Sequence, residues 1–321
     1  LNPVADAPTI HNILAAIEFP WDYQRALELA LFRTYCVPTV SDLLEATGEF
    51  KHRPQKRYDD TSLLMIELVL GGYEEGRGRD ALRMINRNHQ RYDISNDDML
   101  YVLSTFVFDP LDWIDAYGWR RLRPNERLAA FHFYREVGIR MAIKNIPADM
   151  GEFRSWRDEY EATHFAKTST TVAVGGYTMG LFQSWFPAPV RPAVKEVVKA
   201  LVDENMRMAF GYSTPPRALR VVAEAGLRAR ARVERFMPAR RAPMDIGDGK
   251  YPTYPDYGAD TDIGGIGACP FHSARNAPKA DAAMRISWLF IQLTLPFSVL
   301  ISPLWASMRK GWASHHCGKV L

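Results

Sequence analysis

The sequence has too few cysteines to build a disulfide framework or a cysteine-ligated metal centre. Its 321 residues include three cysteines, Cys36, Cys269 and Cys317, and no two of them form a C-x-x-C pair. A set of disulfides, a zinc site and an iron–sulfur cluster held by cysteines are therefore disfavoured. A reducing compartment is the expected setting.

A strong charge of one sign and the common catalytic signatures are also missing. Forty basic and 37 acidic residues give a formal net charge of +3, which is too small to indicate a nucleic-acid partner. The sequence has no P-loop, no G-x-G-x-x-G after a strand, no H-E-x-x-H and no G-x-S-x-G. Nucleotide-dependent and serine-hydrolase chemistry are thus disfavoured, and a redox enzyme would need a bound cofactor.

Long apolar runs are scarce, with one exception near the end of the sequence. Residues 286–308 form an uncharged run of 23 residues followed by two basic residues, which meets the length rule for a membrane span. Pro296 and Pro303 weaken that interpretation, and a buried helix is the alternative. No signal peptide is visible in the sequence given. The expected localisation is membrane-associated, of the ER type in a eukaryote, or cytoplasmic.

The apolar pattern predicts an all-α fold. Over residues 20–240, apolar side chains recur at three- and four-residue spacing, and strict alternation is rare. The predicted helices cover residues 61–70, 79–91, 99–108, a short segment opened by Pro110, a longer one from Pro124 to Met141, and residues 151–165, 171–185 and 216–237. Residues 240–279 are rich in Gly, Pro, Asp and Tyr, which predicts an irregular arm. The expected division is a helical catalytic domain, 1–240, and an arm with an apolar segment, 241–321.

Three of the eight histidines lie in predicted core helices: His89, His132 and His164. A lone histidine on an apolar helix face is usually structural. The three could instead form a non-haem iron site with a carboxylate such as Glu67 or Glu136. The residues alone leave both interpretations open.

Several segments together carry a resemblance to a known family. They are residues 56–61 (KRYDDT), 79–83 (RDALR), 86–92 (NRNHQRY), 94–98 (ISNDD), 31–35 (LFRTY), 113–120 (WIDAYGWR), 131–133 (FHF) and 226–228 (GLR). This set resembles the catalytic domain of the ER-bound oxygenases of mycophenolic acid biosynthesis and the rubber oxygenases. The likeness covers about residues 25–240, with a weaker extension over residues 251–265.

The resemblance implies a haem site. In the rubber-oxygenase branch, an all-helical fold encloses haem b, which is held by a helix-borne histidine downstream of an Arg-x-x-x-Thr pair. The resemblance therefore implies that His89 is the axial iron ligand and that Arg57 and Thr61 lie beside the haem as cofactor-binding and catalytic residues. A neutral imidazole suits iron, and a guanidinium can pair with a propionate or an oxygen-derived anion.

Other residues near this motif have less certain roles. Arg83 and Arg87 share a helix with His89 and either contact haem propionates or form a solvated face. Glu67 lies in a nearly apolar helix and is expected to pair with Arg83 or Arg87, or to line the pocket. Asp60 stands where the rubber oxygenases have a lysine that can occupy the distal iron position. An open or water-bound distal site is therefore expected.

The expected function is haem-dependent oxidation, by O2, of a hydrophobic small molecule such as an isoprenoid or a lipid-like compound. Cleavage of a C=C bond to carbonyl products is its most concrete form. One alternative is haem-dependent hydroxylation or a peroxide-driven oxidation, because a fold does not define a substrate. A non-catalytic haem- or lipid-carrying protein is the other. The sequence predicts no oligomeric state.

Overall fold

The computed structural model describes residues 1–243, 251–258 and 260–267, and this part of the chain contains helices and no strand. The all-α prediction is therefore confirmed. The described residues form thirteen α-helices: α1 (Ala7–Asn12), α2 (Pro20–Thr34), α3 (Pro38–Thr47), α4 (Glu49–His52), α5 (Pro54–Gly71), α6 (Gly76–His89), α7 (Asn96–Tyr117), α8 (Pro124–Arg140), α9 (Met150–His164), α10 (Ser169–Ser184), α11 (Arg191–Leu201), α12 (Glu204–Phe210) and α13 (Arg217–Glu234).

Helix starts follow from local chemistry that is visible in the sequence. Proline occupies the first helical position of α2, α3, α5 and α8, where its missing N–H has no helical partner to lose and its fixed φ suits the helix. The Ser95 side chain accepts a hydrogen bond from the backbone N–H of Asp98 at 3.0 Å and caps α7. The predicted starts of α7 and α8 lie within a few residues of the observed ones.

The predicted break at Pro110 is wrong. Pro110 is buried inside α7, which continues from Asn96 to Tyr117. An interior proline removes one helical hydrogen bond. In α7, however, Phe108, Leu111 and Ile114 on either side of it are fully packed in the core. The burial of this apolar face against α2 and α8 outweighs the local penalty, so tertiary packing overrides the proline signal.

The main core lies where α1, α2, α7 and α8 pack together. Its largest fully buried side chains are aromatic: Phe19, Phe108, Phe131, Phe133, Tyr134 and Phe153. A second apolar cluster joins α2 to α10 and α12 through stacked Phe32 and Phe210 rings, whose centroids are 4.5 Å apart. The helix α2 therefore contributes to both clusters and positions the segments on either side of it.

A buried network of charges fixes α2 against α7, α9 and α12. Arg33 on α2 contacts Glu161 on α9 at 2.9 Å and Asp203, the residue before α12, at 2.5 Å. Arg157 on α9 contacts Asp109 on α7 at 2.5 Å and Glu161 at 3.1 Å. Arg157 and Glu161 are buried and Asp109 is nearly so, so these ions depend on their partners for compensation, whereas Asp203 is 40% exposed.

Within the described part of the chain, no helix combines the length and the apolar character needed to cross a bilayer. The apolar run at residues 286–308 lies outside the described residues. Its predicted membrane segment stays a prediction.

The Arg157→Ala variant tests the weight of the buried network. Removing the guanidinium leaves Asp109 and Glu161 buried with less compensation, so we expect the free energy of unfolding to fall by about 3–5 kcal/mol. The matched control is Arg154→Ala, because Arg154 is also on α9 and pairs with Asp112 of α7, but with side chains 37% and 50% exposed. The control should lose about 1 kcal/mol. Equilibrium urea unfolding measures both, and equal losses would contradict the assigned role.

Candidate active site

The helices α5 and α6 form an antiparallel pair whose register is set by two glycines. A Cβ atom on Gly78 would lie 1.9 Å from the carbonyl oxygen of Gly72, and one on Gly71 would lie 2.7 Å from the backbone nitrogen of Gly78. Any side chain would therefore force the two backbones apart. Thr61 is ten residues before Gly71, and His89 is eleven residues after Gly78. Steps of ten and eleven residues along the two helices, about 15 and 17 Å, bring Thr61 and His89 to nearly the same level of the pair.

His89 is the last residue of α6, and its ring has a defined orientation. Its Nδ1 lies 2.8 Å from the carbonyl oxygen of Ile85, so Nδ1 carries the proton and donates it to that oxygen. Burial lowers the pKa of His89, the bond to Ile85 opposes this shift, and the Arg57 guanidinium lowers the pKa further. The imidazole is therefore neutral near pH 7. Within the described residues, Nε2 forms no hydrogen bond.

Arg57 and Thr61 lie one turn apart on α5. The Arg57 guanidinium donates to the Thr61 hydroxyl, and that hydroxyl contacts the Arg57 carbonyl oxygen at 3.0 Å. The guanidinium also lies 5.6 Å from the centroid of the Phe50 ring. No carboxylate of the described residues forms an ion pair with Arg57. The structure thus brings Arg57, Thr61 and His89 together, and the half-buried Arg57 guanidinium forms no ion pair with the part of the chain that the structure describes.

Arg83 and Arg87 lie on a different face of α6. Both side chains are exposed, and Arg83 pairs with Asp80 on the same helix at 3.3 Å with 65% of its side chain accessible. This geometry matches the solvated face expected as one alternative. A contact of these arginines with a haem stays a prediction.

The predicted partner of Glu67 is wrong. Glu67 is paired with Arg77, at 2.7 Å, and not with Arg83 or Arg87. The Tyr257 hydroxyl also donates to Glu67 at 2.7 Å. The reason is geometric: Arg77 is in the first turn of α6, beside the end of α5 that carries Glu67, whereas Arg83 and Arg87 project from the exposed face.

The irregular arm packs across the α5–α6 pair. Tyr257, Ile263 and Ile266 of the arm cluster with Leu63 and Leu64 of α5 and with side chains of α6. We call residues 251–258 and 260–267 the strap. Its apolar contacts explain why a segment without helical periodicity is ordered against the helices that carry the candidate site.

The strap also forms hydrogen bonds with Asp59 and Asp60. The backbone N–H of Thr253 donates to Asp59 at 2.9 Å, and the Tyr254 hydroxyl donates to Asp60. Lys56 pairs with Asp60 at 2.7 Å. Asp60, which stands where the rubber oxygenases have a lysine, is therefore held by the strap. Sequence reasoning missed these anchors, because Thr253 and Tyr254 are each 194 positions away in the chain from the aspartate that they contact.

A cavity of about 70 Å³ lies between α2 and α5. We call it the α2–α5 cavity. Most of its wall is aliphatic, with the Phe106 ring of α7 added. Its polar lining residues are Tyr23, Gln24, Glu28, Tyr58, Thr61 and Ser62. Because Thr61 is one of them, the cavity opens beside the Arg57–Thr61 pair.

Glu28 and Tyr58 form the polar end of this cavity. The Tyr58 hydroxyl donates to Oε1 of Glu28 at 2.6 Å, and Arg25 donates to the same oxygen at 2.6 Å. Gln24 donates to the Tyr58 hydroxyl at 3.1 Å. Burial and the charge of Glu28 raise the pKa of Tyr58 well above its ordinary value. Sequence reasoning missed this cluster, because its members are far apart in the chain and form no motif.

Tyr23 belongs to a hydrogen-bonded chain of three buried side chains, His11, Tyr23 and Tyr134. The Tyr23 hydroxyl lies 2.9 Å from Nε2 of His11 and 2.5 Å from the hydroxyl of Tyr134. The His11 ring stacks on Phe133 and is fully buried. Burial lowers the pKa of His11 to about 3, so the ring is neutral at any working pH. Sequence reasoning did not single out His11 either.

His132 and His164 lie away from His89. His132 is half-buried on α8, and His164 is exposed and stacked on Tyr160. Among residues 1–243, 251–258 and 260–267, no three His, Cys, Asp or Glu side chains form a cluster suited to a metal ion. The described residues therefore do not assemble the three-ligand non-haem site that was one alternative.

Comparison with known proteins shows which family the chain belongs to. The family described as "ER-bound oxygenase mpaB/B'/Rubber oxygenase, catalytic domain" matches residues 26–235. The chain belongs to this family. Family membership makes it an oxidoreductase of the oxygenase type. The matched region runs from α2 to α13, so it contains Arg57, Thr61 and His89, whereas the strap lies beyond it.

Three curated relatives from Penicillium support the placement. The chain is 28% identical over 226 residues to the ER-bound oxygenase mpaB of Penicillium roqueforti, an alignment that covers 64% of this chain and 76% of that protein. It is 26% identical over 261 residues to mpaB' of Penicillium brevicompactum, covering 75% and 62% of the two chains. It is 28% identical over 232 residues to mpaB of the same organism, covering 66% and 58%. The chain thus spans about three fifths of the last two relatives.

The buried His11 should make the protein less stable in acid. Between about pH 6.5 and 3 the unfolded state binds a proton that the folded state excludes. The free energy of unfolding therefore falls with decreasing pH by up to about 1.4 kcal/mol per unit from this group alone. In His11→Leu this contribution is absent, so the stability gap between wild type and variant should shrink as the pH is lowered from 6.5 to 4. Urea unfolding at several pH values measures the gap.

The control for this experiment is Tyr23→Phe. This variant removes the hydroxyl that contacts His11 but keeps the buried imidazole, so it should lose stability and retain the pH slope of the wild type. Parallel slopes for wild type and His11→Leu would contradict the assignment.

Proposed function

We propose that this chain is a haem-dependent oxygenase that binds iron through Nε2 of His89 and oxidises a hydrophobic substrate bound in the α2–α5 cavity. The observation that carries the proposal is the state of His89. Its Nδ1 is committed to the Ile85 carbonyl, burial keeps the ring neutral, and Nε2 is left as a free base beside the Arg57 guanidinium. A neutral, oriented imidazole is what an axial haem ligand requires.

The side chains around His89 fit haem b. A haem carries two propionates, and a guanidinium is the preferred partner of a carboxylate. Arg57 has no carboxylate partner among the described residues, so its charge is available for a propionate or for an anion that forms during the reaction. The haem would be held by His89 and Arg57, and it would supply the activation of O2 that side chains cannot provide.

The chain's own residues would then have three roles. His89 holds the iron, and the Ile85 carbonyl fixes the orientation of its ring. The Arg57 guanidinium and the Thr61 hydroxyl offer donors that stabilise negative charge developing on oxygen. The α2–α5 cavity places an apolar substrate against Thr61 and excludes water.

The small size of the cavity limits how a substrate can enter it. At about 70 Å³ it is smaller than the roughly 300–1,000 Å³ of most ligand pockets. A substrate enters only when flexible lining side chains such as Met65 move, and methionine is suited to such repacking.

Within this function, the reaction we propose is cleavage of a C=C bond to two carbonyl products in an isoprenoid or lipid-like substrate. The relatives carry the name oxygenase, and the aliphatic wall of the cavity is suited to such a chain. The relatives are also named ER-bound. We propose that this protein associates with a membrane, with residues 286–308 as the apolar segment, so that the substrate is delivered from lipid.

The absorption spectrum tests the haem assignment. Wild-type protein, purified with haem supplied, should show a Soret band, and His89→Ala should lose it because the substitution removes the proposed iron ligand. The matched control is His132→Ala, which removes another half-buried histidine and should keep the band. A colourless wild type, or an unchanged band in His89→Ala, would sink the proposal.

Thr61 tests the reaction. Thr61→Val keeps the shape of the side chain and removes its hydroxyl, so the Soret band should remain while O2-dependent formation of carbonyl products falls roughly tenfold to a few hundredfold. Ser62→Ala is the control, because Ser62 also lines the cavity but makes no recorded contact with Arg57. Product formation from an isoprenoid, measured by mass spectrometry, is the readout. Equal effects of the two substitutions would argue against Thr61.

A further inference from the structure

The two ends of the α2–α5 cavity differ in polarity. The Asn12 amide donates to the Leu70 carbonyl at 3.0 Å, and Tyr58 donates to Glu28 at 2.6 Å. These two contacts fix the chain from Asn12 to Glu28 antiparallel to α5. The α5 residues that line the cavity therefore extend over roughly 18 Å of the helix, from Tyr58 to Leu70, at 1.5 Å per residue. The Leu70 end of the cavity is aliphatic, and its Tyr58 end carries the polar groups.

Only one of the two carboxylate oxygens of Glu28 accepts hydrogen bonds from the described residues. Both recorded donors, Arg25 and Tyr58, bond to Oε1. In the described part of the chain, Oε2 has no recorded hydrogen bond. This oxygen is not fully buried, although only 11% of the Glu28 side chain is exposed. This oxygen therefore retains access to open space, and Glu28 lines the cavity.

We infer that the α2–α5 cavity binds an apolar chain that bears a hydroxyl group, and that Glu28 is the specificity-determining residue, accepting the hydroxyl hydrogen on Oε2. This inference rests on the proposed function, because it names the class of substrate for the same site. The aliphatic wall takes the chain, and the Glu28–Tyr58 end takes the hydroxyl. Thr61 lies at that same end.

The chemistry of the cluster selects a donor rather than an acceptor. Burial raises the pKa of Glu28, whereas the Arg25 charge and the hydrogen bond from Tyr58 act to lower it. In the ionised form that these two donors stabilise, the other carboxylate oxygen can only accept a hydrogen bond. A hydroxyl satisfies it, whereas an ether or an ester oxygen leaves it unpaired. Gln24 has one further N–H that could donate to an ether. A bond to a neutral amide is weaker than a charge-assisted bond to a carboxylate, so the hydroxyl is preferred.

The test compares an alcohol with its methyl ether, in which a methyl group replaces the hydroxyl hydrogen. The probes are farnesol and farnesyl methyl ether, and their dissociation constants for the full chain, purified with haem supplied, are measured by equilibrium dialysis. The wild type should bind the alcohol roughly tenfold to a hundredfold more tightly, as expected for a hydrogen bond to a charged acceptor. Equal binding of the two probes overturns the inference without any variant.

Glu28→Gln tests the residue. An amide both donates and accepts, so the preference for the alcohol should fall to about threefold or less while the ether binds no worse than before. The matched control is Glu45→Gln, because Glu45 of α3 also accepts from a tyrosine hydroxyl, that of Tyr177 at 3.3 Å, and does not line the cavity. It should keep the wild-type preference. A preference that survives in Glu28→Gln overturns the inference.

Tyr58→Phe tests whether general damage to the Glu28–Tyr58 cluster, rather than loss of the carboxylate, could explain the result for Glu28→Gln. It keeps the carboxylate and the ring that packs on Trp185, with centroids 4.9 Å apart, so the alcohol should still be preferred. Loss of the preference in this variant but not in Glu28→Gln would also contradict the assignment.

The outcome can be separated from that of the haem proposal. A colourless protein that prefers the alcohol keeps the inference and rejects the haem. A Soret band lost in His89→Ala, together with equal binding of the two probes, keeps the haem and rejects the role of Glu28.

Discussion

The close contact between Gly71 and Gly78 is the constraint on which the candidate site depends. It admits no Cβ atom at either position, so α5 and α6 leave their turn with their backbones touching and in one register. That register brings His89 from one helix level with Arg57 and Thr61 from the other. A shift of one residue would rotate His89 by about 100° around α6 and remove its ring from the Arg57 guanidinium. Two residues without side chains thus decide which side chains meet.

The strap stabilises the same pair from outside, and it does so by satisfying buried acids. Asp59, Asp60 and Glu67 lie along α5, and each accepts a hydrogen bond from the strap. Buried carboxylates without partners would be costly, so the strap and α5 depend on each other. On the opposite side of α5, α2 supplies Glu28 and the aliphatic wall of the cavity. The helix α5 therefore separates a charged, strapped face from an apolar, substrate-facing one.

Much of the fold could be predicted from local chemistry. The starts of α7 and α8 follow from Ser95 and Pro124, because caps and first-turn prolines act within a few residues. Pro110 could not be interpreted in this way, because its tolerance inside α7 depends on core packing by residues from other helices. The same distinction between local signals and long-range contacts applies to the candidate site. The resemblance indicated His89, Arg57 and Thr61, and the structure brings them together. The partner of Glu67 and the Glu28–Tyr58 cluster depend on contacts between distant segments, which no spacing in one sequence reveals.

The central proposal is that one imidazole, oriented by a backbone carbonyl and kept neutral by burial, binds iron beside the Arg57 guanidinium, which forms no ion pair with the described residues. The most direct measurement is an anomalous difference map, recorded at the iron absorption edge from crystals of the haem-loaded protein. We expect one iron peak within bonding distance of Nε2 of His89, on the side of α6 that faces Arg57 and Thr61. A peak beside another residue, or a His89 ring that points away from the iron, would contradict the account.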